Sequence, residues 1–335
     1  MGEYRTDDVL FTHAWPDWHD VSAHRRWSEG PQSRSAYIYS FRTPPFSREI
    51  GARRPDYAGA GDLVRDYCCV LFGKRFEHHG LIEGSGMFFL PTFSGYDGLC
   101  IHTLPHNTHK SRVDYPVELN LGELSRIENL VQFNDIDERF LRYFRTAVKF
   151  YAQALRCWEG DPETAYLNLI TAGEVLSNYF VYPKETLLDG ATSRILQEVR
   201  THVPEGKKVA RQLATRFQGI KKKFVLTILR LIPEGFFDRT ETLTEHSALK
   251  EISFERAVAA AYDLRSVHLH SGAAFGTWVS RFCIAGNEEL QGGRPVVEDR
   301  SLGKALADAP TLVGLERVIR CCLLSFAAEH REFRP

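Results

Sequence analysis

The residues best equipped for chemistry lie close together in Tyr262-Asp263-Leu264-Arg265-Ser266-Val267-His268-Leu269-His270-Ser271-Gly272. A guanidinium stays protonated and can hold two phosphoryl oxygens in its fork. An imidazole, with an ordinary pKa of about 6.5, takes or gives a proton near neutrality. This combination suits a phosphodiester that carries its own nucleophile, as RNA does in its 2′-OH. Such a reaction needs a base for the hydroxyl proton, an acid for the leaving oxygen and positive charge for the phosphorane-like transition state. No metal is required.

The elements must then position these groups. Phe254, Val258, Ala261 and Arg265 recur at helical spacing, so the arginine continues an apolar stripe and needs a partner or a purpose. On an ideal helix Arg265 and His270 lie roughly 140° apart and Arg265 and His268 about 60°. For His270 to join Arg265, the helix must unwind near Leu269–Gly272 or the motifs of two chains must converge.

Arg265 to His270 reads Arg-x4-His, which resembles the catalytic signature of the HEPN superfamily of helical ribonucleases, Arg-x4-6-His. The longer match Tyr-Asp-Leu-Arg-Ser-x3-His resembles the ApeA-like HEPN branch of prokaryotic antiphage and toxin proteins. Ser271 stands between His270 and Gly272, where that pattern often has glycine directly after the histidine. The resemblance extends to Thr-Ala-Gly-Glu174-Val-Leu, similar to the branch's acid-bearing helix. An interior Glu174 needs a partner, and Arg265 is a natural one; an exposed helix edge is the alternative.

The resemblance implies a metal-independent endoribonuclease without cofactor, an antiphage-defence or toxin-like effector acting on RNA such as tRNA or mRNA. It assigns Arg265 to phosphate and transition-state binding and His270 to acid/base catalysis, with Glu174, Asp263, Ser266 and His268 in support. It also implies a homodimer with a composite site, with which the small residues Ala257, Ala259, Ala260 and Ala261 are compatible. A non-catalytic HEPN-like module binding nucleic acid, nucleotide or protein is the alternative.

Other clusters weigh less. Arg239 and His246 also fit the spacing, but in a polar stretch without an apolar stripe. His102, His106 and His109, with His78 and His79 nearby, could ligate zinc in a metal hydrolase; Pro105 and the polar setting favour a solvated loop. Residues 199–231 hold nine Lys and Arg against one acid, so the stretch suits a phosphate backbone or a solvated face. Lys207, Lys208, Arg211, Lys221, Lys222 and Lys223 are its candidate RNA contacts. Trp15, Trp18 and Trp27 could stack on bases or anchor a small core.

The net charge of −1 over 335 residues carries no overall bias toward nucleic acid or membrane. Seven cysteines include two adjacent pairs and form neither a disulfide framework nor a zinc pattern, which points to reduced, mostly buried thiols. The acidic N-terminus lacks a signal-peptide pattern and no apolar run approaches 18 residues, so a cytoplasmic protein without membrane contact is expected.

The expected fold class is α+β: a small mixed N-terminal domain over 1–133, a candidate sensor or regulator, then an all-α HEPN-like bundle over 134–335. Ser35–Arg42 reads as a strand, Gly61–Phe72 as a helix, and Arg75–Ile82 with Met87–Phe93 as a hairpin. A helix whose N-cap is Asn134 of Asn134-Asp-Ile-Asp137, with Asp137 as the acid at the third helical position, and a second capped at Asp161-Pro162 form an antiparallel pair. Residues 199–231 read as basic helix, 234–251 as a polar connector, 272–303 as a small hairpin or loop, and Leu312–Phe326 as a closing helix.

Overall fold

Alternation of Val9, Phe11 and His13 inward with Leu10 and Thr12 less buried makes the central strand of a small sheet. The structure, a computed structural model, describes residues 2–14, 35–43, 57, 59–84, 86–91, 101–134, 136–188, 190–216, 219–281, 283–290 and 295–335. Strands β1 (Tyr4–Arg5), β2 (Val9–His13) and β3 (Tyr37–Phe41) pair antiparallel in that order. Thr12 stands opposite Ile38, and β3 is the strand expected over 35–42. Tyr39 Oη donates to Val131 O at 2.6 Å, which ties the sheet to the helices. Trp15, Trp18 and Trp27 lie outside the described residues.

Helix α1 (Ala60–Phe72) buries Val64, Tyr67 and Leu71 and stops at Gly73, whose φ of 60° suits a residue without Cβ. The expected hairpin shrinks to two-residue strands, β4 (Glu83–Gly84) and β5 (Met87–Phe88); Arg75–Gly80 is irregular, and residues 92–93 lie outside the described ones. A 3-10 turn, Leu121–Ile127, leads into short α2 (Glu128–Val131).

The helical part begins with α3 (Glu138–Cys157), capped by Asp137 accepting from Phe140 N at 2.7 Å. Helix α4 (Pro162–Tyr179) is capped by Asp161, and the two pack along their length. The basic stretch breaks where Pro204-Glu205 and Gly219 fall. After α5 (Lys184–Leu187) it contributes α6 (Gly190–His202), α7 (Gly206–Arg216) and α8 (Ile220–Leu231). Helix α9 (Glu251–Ser271) carries the motif. The described residues of 272–303 hold no hairpin but α10 (Gly276–Ser280), a 3-10 turn and the start of α11 (Arg300–Asp308). The architecture is α+β, a small sheet followed by a helical region. Among the described residues no helix is long and apolar enough to cross a membrane.

The centre is α12 (Leu312–Glu329), buried at every residue from Leu312 to Leu324. It packs on α1, α3, α4 and α8, so one apolar core runs from Tyr4 to Phe333 across position 133/134. The six described cysteines are unpaired, and five of them are buried.

Three charged residues of α12 lie inside this core, and each has an ion-pair partner, although Arg317 Nε is left without a hydrogen bond. Arg112 holds Glu316 with two bonds, 2.9 and 2.7 Å, and Glu241 at 2.6 Å; Tyr151 Oη also donates to Glu316. Arg320 caps the end of α1 through Val70 O at 2.9 Å and Leu71 O at 2.7 Å, while Arg112 reaches Gly73 O at 3.2 Å. Arg317 pairs with Glu288 at 2.8 Å and donates to Phe236 O and Arg239 O. Glu288 accepts in turn from Glu241 N and Leu249 N, both at 2.9 Å. This corrects the polar connector: 234–251 packs down and buries Phe236, Ser247 and Leu249, because buried Glu288 satisfies its backbone. Burial opposes ionisation of Asp114, but the Arg112 and Arg320 guanidiniums outweigh it and hold the carboxyl well below the usual range.

Candidate active site

Helix α9 reaches the site because Phe254, Ala257, Val258, Ala261 and Leu264 are buried on one side of it. Arg265 continues that side and meets α4. Its Nη2 lies 3.0 Å from Glu174 Oε2, with side chains 26% and 15% exposed, so both are partly desolvated and still reachable. The expected partnership of Glu174 and Arg265 is present, and the exposed-edge alternative is set aside. Tyr262 Oη completes the cluster, donating to Glu174 Oε1 at 2.9 Å and accepting from Arg265 Nη1 at 3.5 Å. Burial, reinforced by the bond to Glu174, pushes the Tyr262 phenol up to about 12, so it remains a donor. Tyr262 belongs to the motif stretch but has no role in the sequence pattern; its position one turn before Arg265 is the local signal.

The helix does not unwind at Leu269–Gly272. It stays helical through Ser271 and ends at Gly272, φ 68°, whose N–H donates to His268 O at 2.8 Å. Arg265 and His270 therefore keep the wide angular separation of an ideal helix, and His270 is exposed. Among the described residues neither histidine bonds to Arg265. His268, half-buried, sets its Nδ1 3.1 Å from Ala273 O and meets Phe275 edge-on at 5.5 Å. A carbonyl only accepts, so Nδ1 is the donor in this contact. Ser266 is half-buried beside Arg265.

A second element missed in sequence fixes this helix end. Glu163, in the first turn of α4, accepts from Phe275 N and from Gly276 N at 2.9 Å. A Cβ on Gly276 would sit 2.5 Å from Glu163 Cγ, which shows how closely the post-motif loop lies on α4. The acid reads in sequence as an ordinary first-turn residue of its own helix, so the contact left no local trace. Just before it, the hydrogen bond from Thr164 holds the Asp161 carboxyl below its usual value.

The six basic candidates divide into two groups. Lys221 lies 2.7 and 2.6 Å from the Asp263 oxygens, Lys222 3.0 Å from Glu255, and Lys223 3.4 Å from Asn178 Oδ1. These three brace α8 against the motif helix and α4, and Asp263 serves the same bracing. Lys207, Lys208 and Arg211 stand exposed on α7.

Two expectations are corrected. The alanines are not a free seam: Ala257, Ala260 and Ala261 are buried in the chain's own core and Ala259 partly so, with α9 packed along α11 and Arg256 3.0 Å from Asp308. The histidine loop is not simply solvated either. His106 is buried, its ring 4.6 Å from Trp158, while His109 is exposed and His78 turns to Asp62 at 3.3 Å. Among the described residues no group of three or more His, Cys, Asp or Glu could hold a metal ion. Arg239 and His246 are also apart in role: Arg239 O serves Arg317, and His246 is exposed in a 3-10 turn.

Comparison of the chain with protein-family models, curated proteins and solved structures gives no match.

Proposed function

We propose that this chain is a metal-independent endoribonuclease of the HEPN type, an antiphage-defence or toxin-like effector of the cytoplasm whose N-terminal part senses a trigger or restrains activity. The observation that carries this reading is the Arg265–Glu174 ion pair, bridged by Tyr262, one turn before two histidines at a helix end. Arg265 holds the scissile phosphate. One imidazole takes the 2′-OH proton as O2′ bonds to phosphorus, and another acid returns a proton to O5′ as the P–O5′ bond breaks. The products are a 2′,3′-cyclic phosphate and a 5′-hydroxyl. Because α9 stays helical, a second copy is the route by which His270 of one chain meets Arg265 of its partner.

The test is end-mapping of products made in EDTA. Cyclic-phosphate and 5′-hydroxyl ends, abolished by 2′-O-methylation at the cleaved nucleotide, support the reading; 5′-phosphate ends formed only with added magnesium contradict it. The engagement of Arg265 by Glu174 within one chain favours a second reading, a non-catalytic module that binds RNA without turnover.

A further inference from the structure

We infer that the α6–α7 hairpin is an arm that grips the sugar-phosphate backbone of base-paired RNA, so that the RNA presented to the motif is structured. The purpose of the arm rests on the ribonuclease reading; the binding it asserts does not.

Among the described elements, helices α6 and α7 pack on each other and at most marginally on any other. Among their described side chains only Leu196 and Ala210 are buried, with Gly206 where the helices meet; a Cβ there would lie 2.0 Å from Val199 O. A helix pair that buries so little contributes little to the core, and most of its surface faces solvent. That surface is cationic: residues 190–216 hold six Lys and Arg against two Glu. Arg194, Arg200, Lys207, Lys208 and Arg211 are all exposed. Glu205 lies 3.7 Å from Lys208 and Glu198 3.0 Å from His202, exposed pairs that leave the hairpin net cationic.

Position supports the assignment. The hairpin returns through Gly219 into α8, whose first turn places Lys221 on Asp263, two residues before Arg265. The arm therefore leaves the bundle beside the motif. Its composition selects the partner. Residues 190–216 contain no Phe, Tyr or Trp, so the hairpin has no platform for stacking unpaired bases. Cations on a helical surface instead address phosphates, the dominant contacts to double-stranded RNA.

The experiment is fluorescence anisotropy with a 2′-O-methyl RNA duplex, which lacks the attacking hydroxyl and survives the titration, against a single strand of equal length. Wild type should bind the duplex more tightly. The triple variant Lys207→Ala/Lys208→Ala/Arg211→Ala should flatten the slope of log K against log salt by about 2 to 3 and weaken binding at least about tenfold at about 0.1 M salt. Lys207→Arg/Lys208→Arg should keep both, which separates charge from folding. An unchanged slope in the triple variant, or wild-type binding to the single strand as tightly as to the duplex, overturns the arm. Duplex binding through these residues with no cleavage of any RNA keeps the arm and contradicts the ribonuclease. Cleavage with an unaltered KM in the triple variant does the reverse.

Discussion

Replacing Glu316 with Gln keeps the shape of a fully buried side chain and removes its charge. The glutamine oxygen can still accept from one Arg112 nitrogen, but its amide turns N–H against the other, where the carboxylate had accepted at 2.7 Å. Breaking one partner of a buried pair costs about 3–5 kcal/mol. Arg112 retains Glu241 at 2.6 Å and Asp114 at 3.7 Å, which places the cost near the lower end, about 3 kcal/mol. An unfolding entropy of about 2.1 cal/mol/K per residue gives about 0.7 kcal/mol/K for the whole chain, so the melting temperature should fall by about 4 °C. The network joins α1 and residues 112–115 to α12, so the drop should appear as one transition. Calorimetry with matched circular dichroism and tryptophan fluorescence reads both quantities. The double variant Arg112→Met/Glu316→Leu, which removes both charges, should recover most of the loss. A shift under about 1 °C, or two separated transitions in the Gln variant, would refute the claim that this network fastens the N-terminal part to the bundle.

Two further outcomes follow from the packing. Burial, and then the nearby Arg112 charge, lower Lys74 to about 7 although its ammonium donates to Pro105 O and Thr108 Oγ1. Between pH 7 and about 10.4 the unfolded chain binds more protons at this site, so the contribution to stability rises with pH across that window, and the burial cost at pH 7 is on the order of 4 kcal/mol. After allowing for the lost hydrogen bonds, Lys74→Met should be more stable than wild type by about 1–3 kcal/mol at pH 7 and lose that advantage by about pH 10. Urea melts at the two pH values check this, and a pH-independent difference contradicts it. Gly173→Ala should lower stability by about 1–3 kcal/mol despite the better helix propensity of alanine, because its Cβ would meet Phe224 at 2.5 Å and Ile319 at 3.1 Å. Thermal melts decide the sign, and a gain would show that α8 can shift.

The long amphipathic helices and the cap at Asp161 were legible because a 3.6-residue stripe and an N-cap acid are local signals, whereas the first helix is capped by Asp137 itself, three residues beyond the expected Asn134. The ion pair of Glu174 with Arg265 was legible as an interior acid and an interior base that each needed a partner. The charges of α12 were not. Glu316, Arg317 and Arg320 interrupt an apolar run, and only tertiary contacts with Arg112, Glu288 and the end of α1 explain how all three are buried. The same holds for the alanines of α9, whose small size serves the chain's own packing, and for 234–251, whose polar sequence conceals backbone bonded to Glu288. Pattern gives an element its face, and the partner of that face lies elsewhere in the chain.

The central claim is that Arg265 and His270 cleave RNA, and the most direct measurement compares wild type with Arg265→Ala, His268→Ala and His270→Ala on total cellular RNA and tRNA in EDTA. Loss of activity by about 100-fold or more in the Arg265 and His270 variants, with His268→Ala still active, is the expected result. Cleavage at the wild-type rate in both the Arg265 and His270 variants would contradict it.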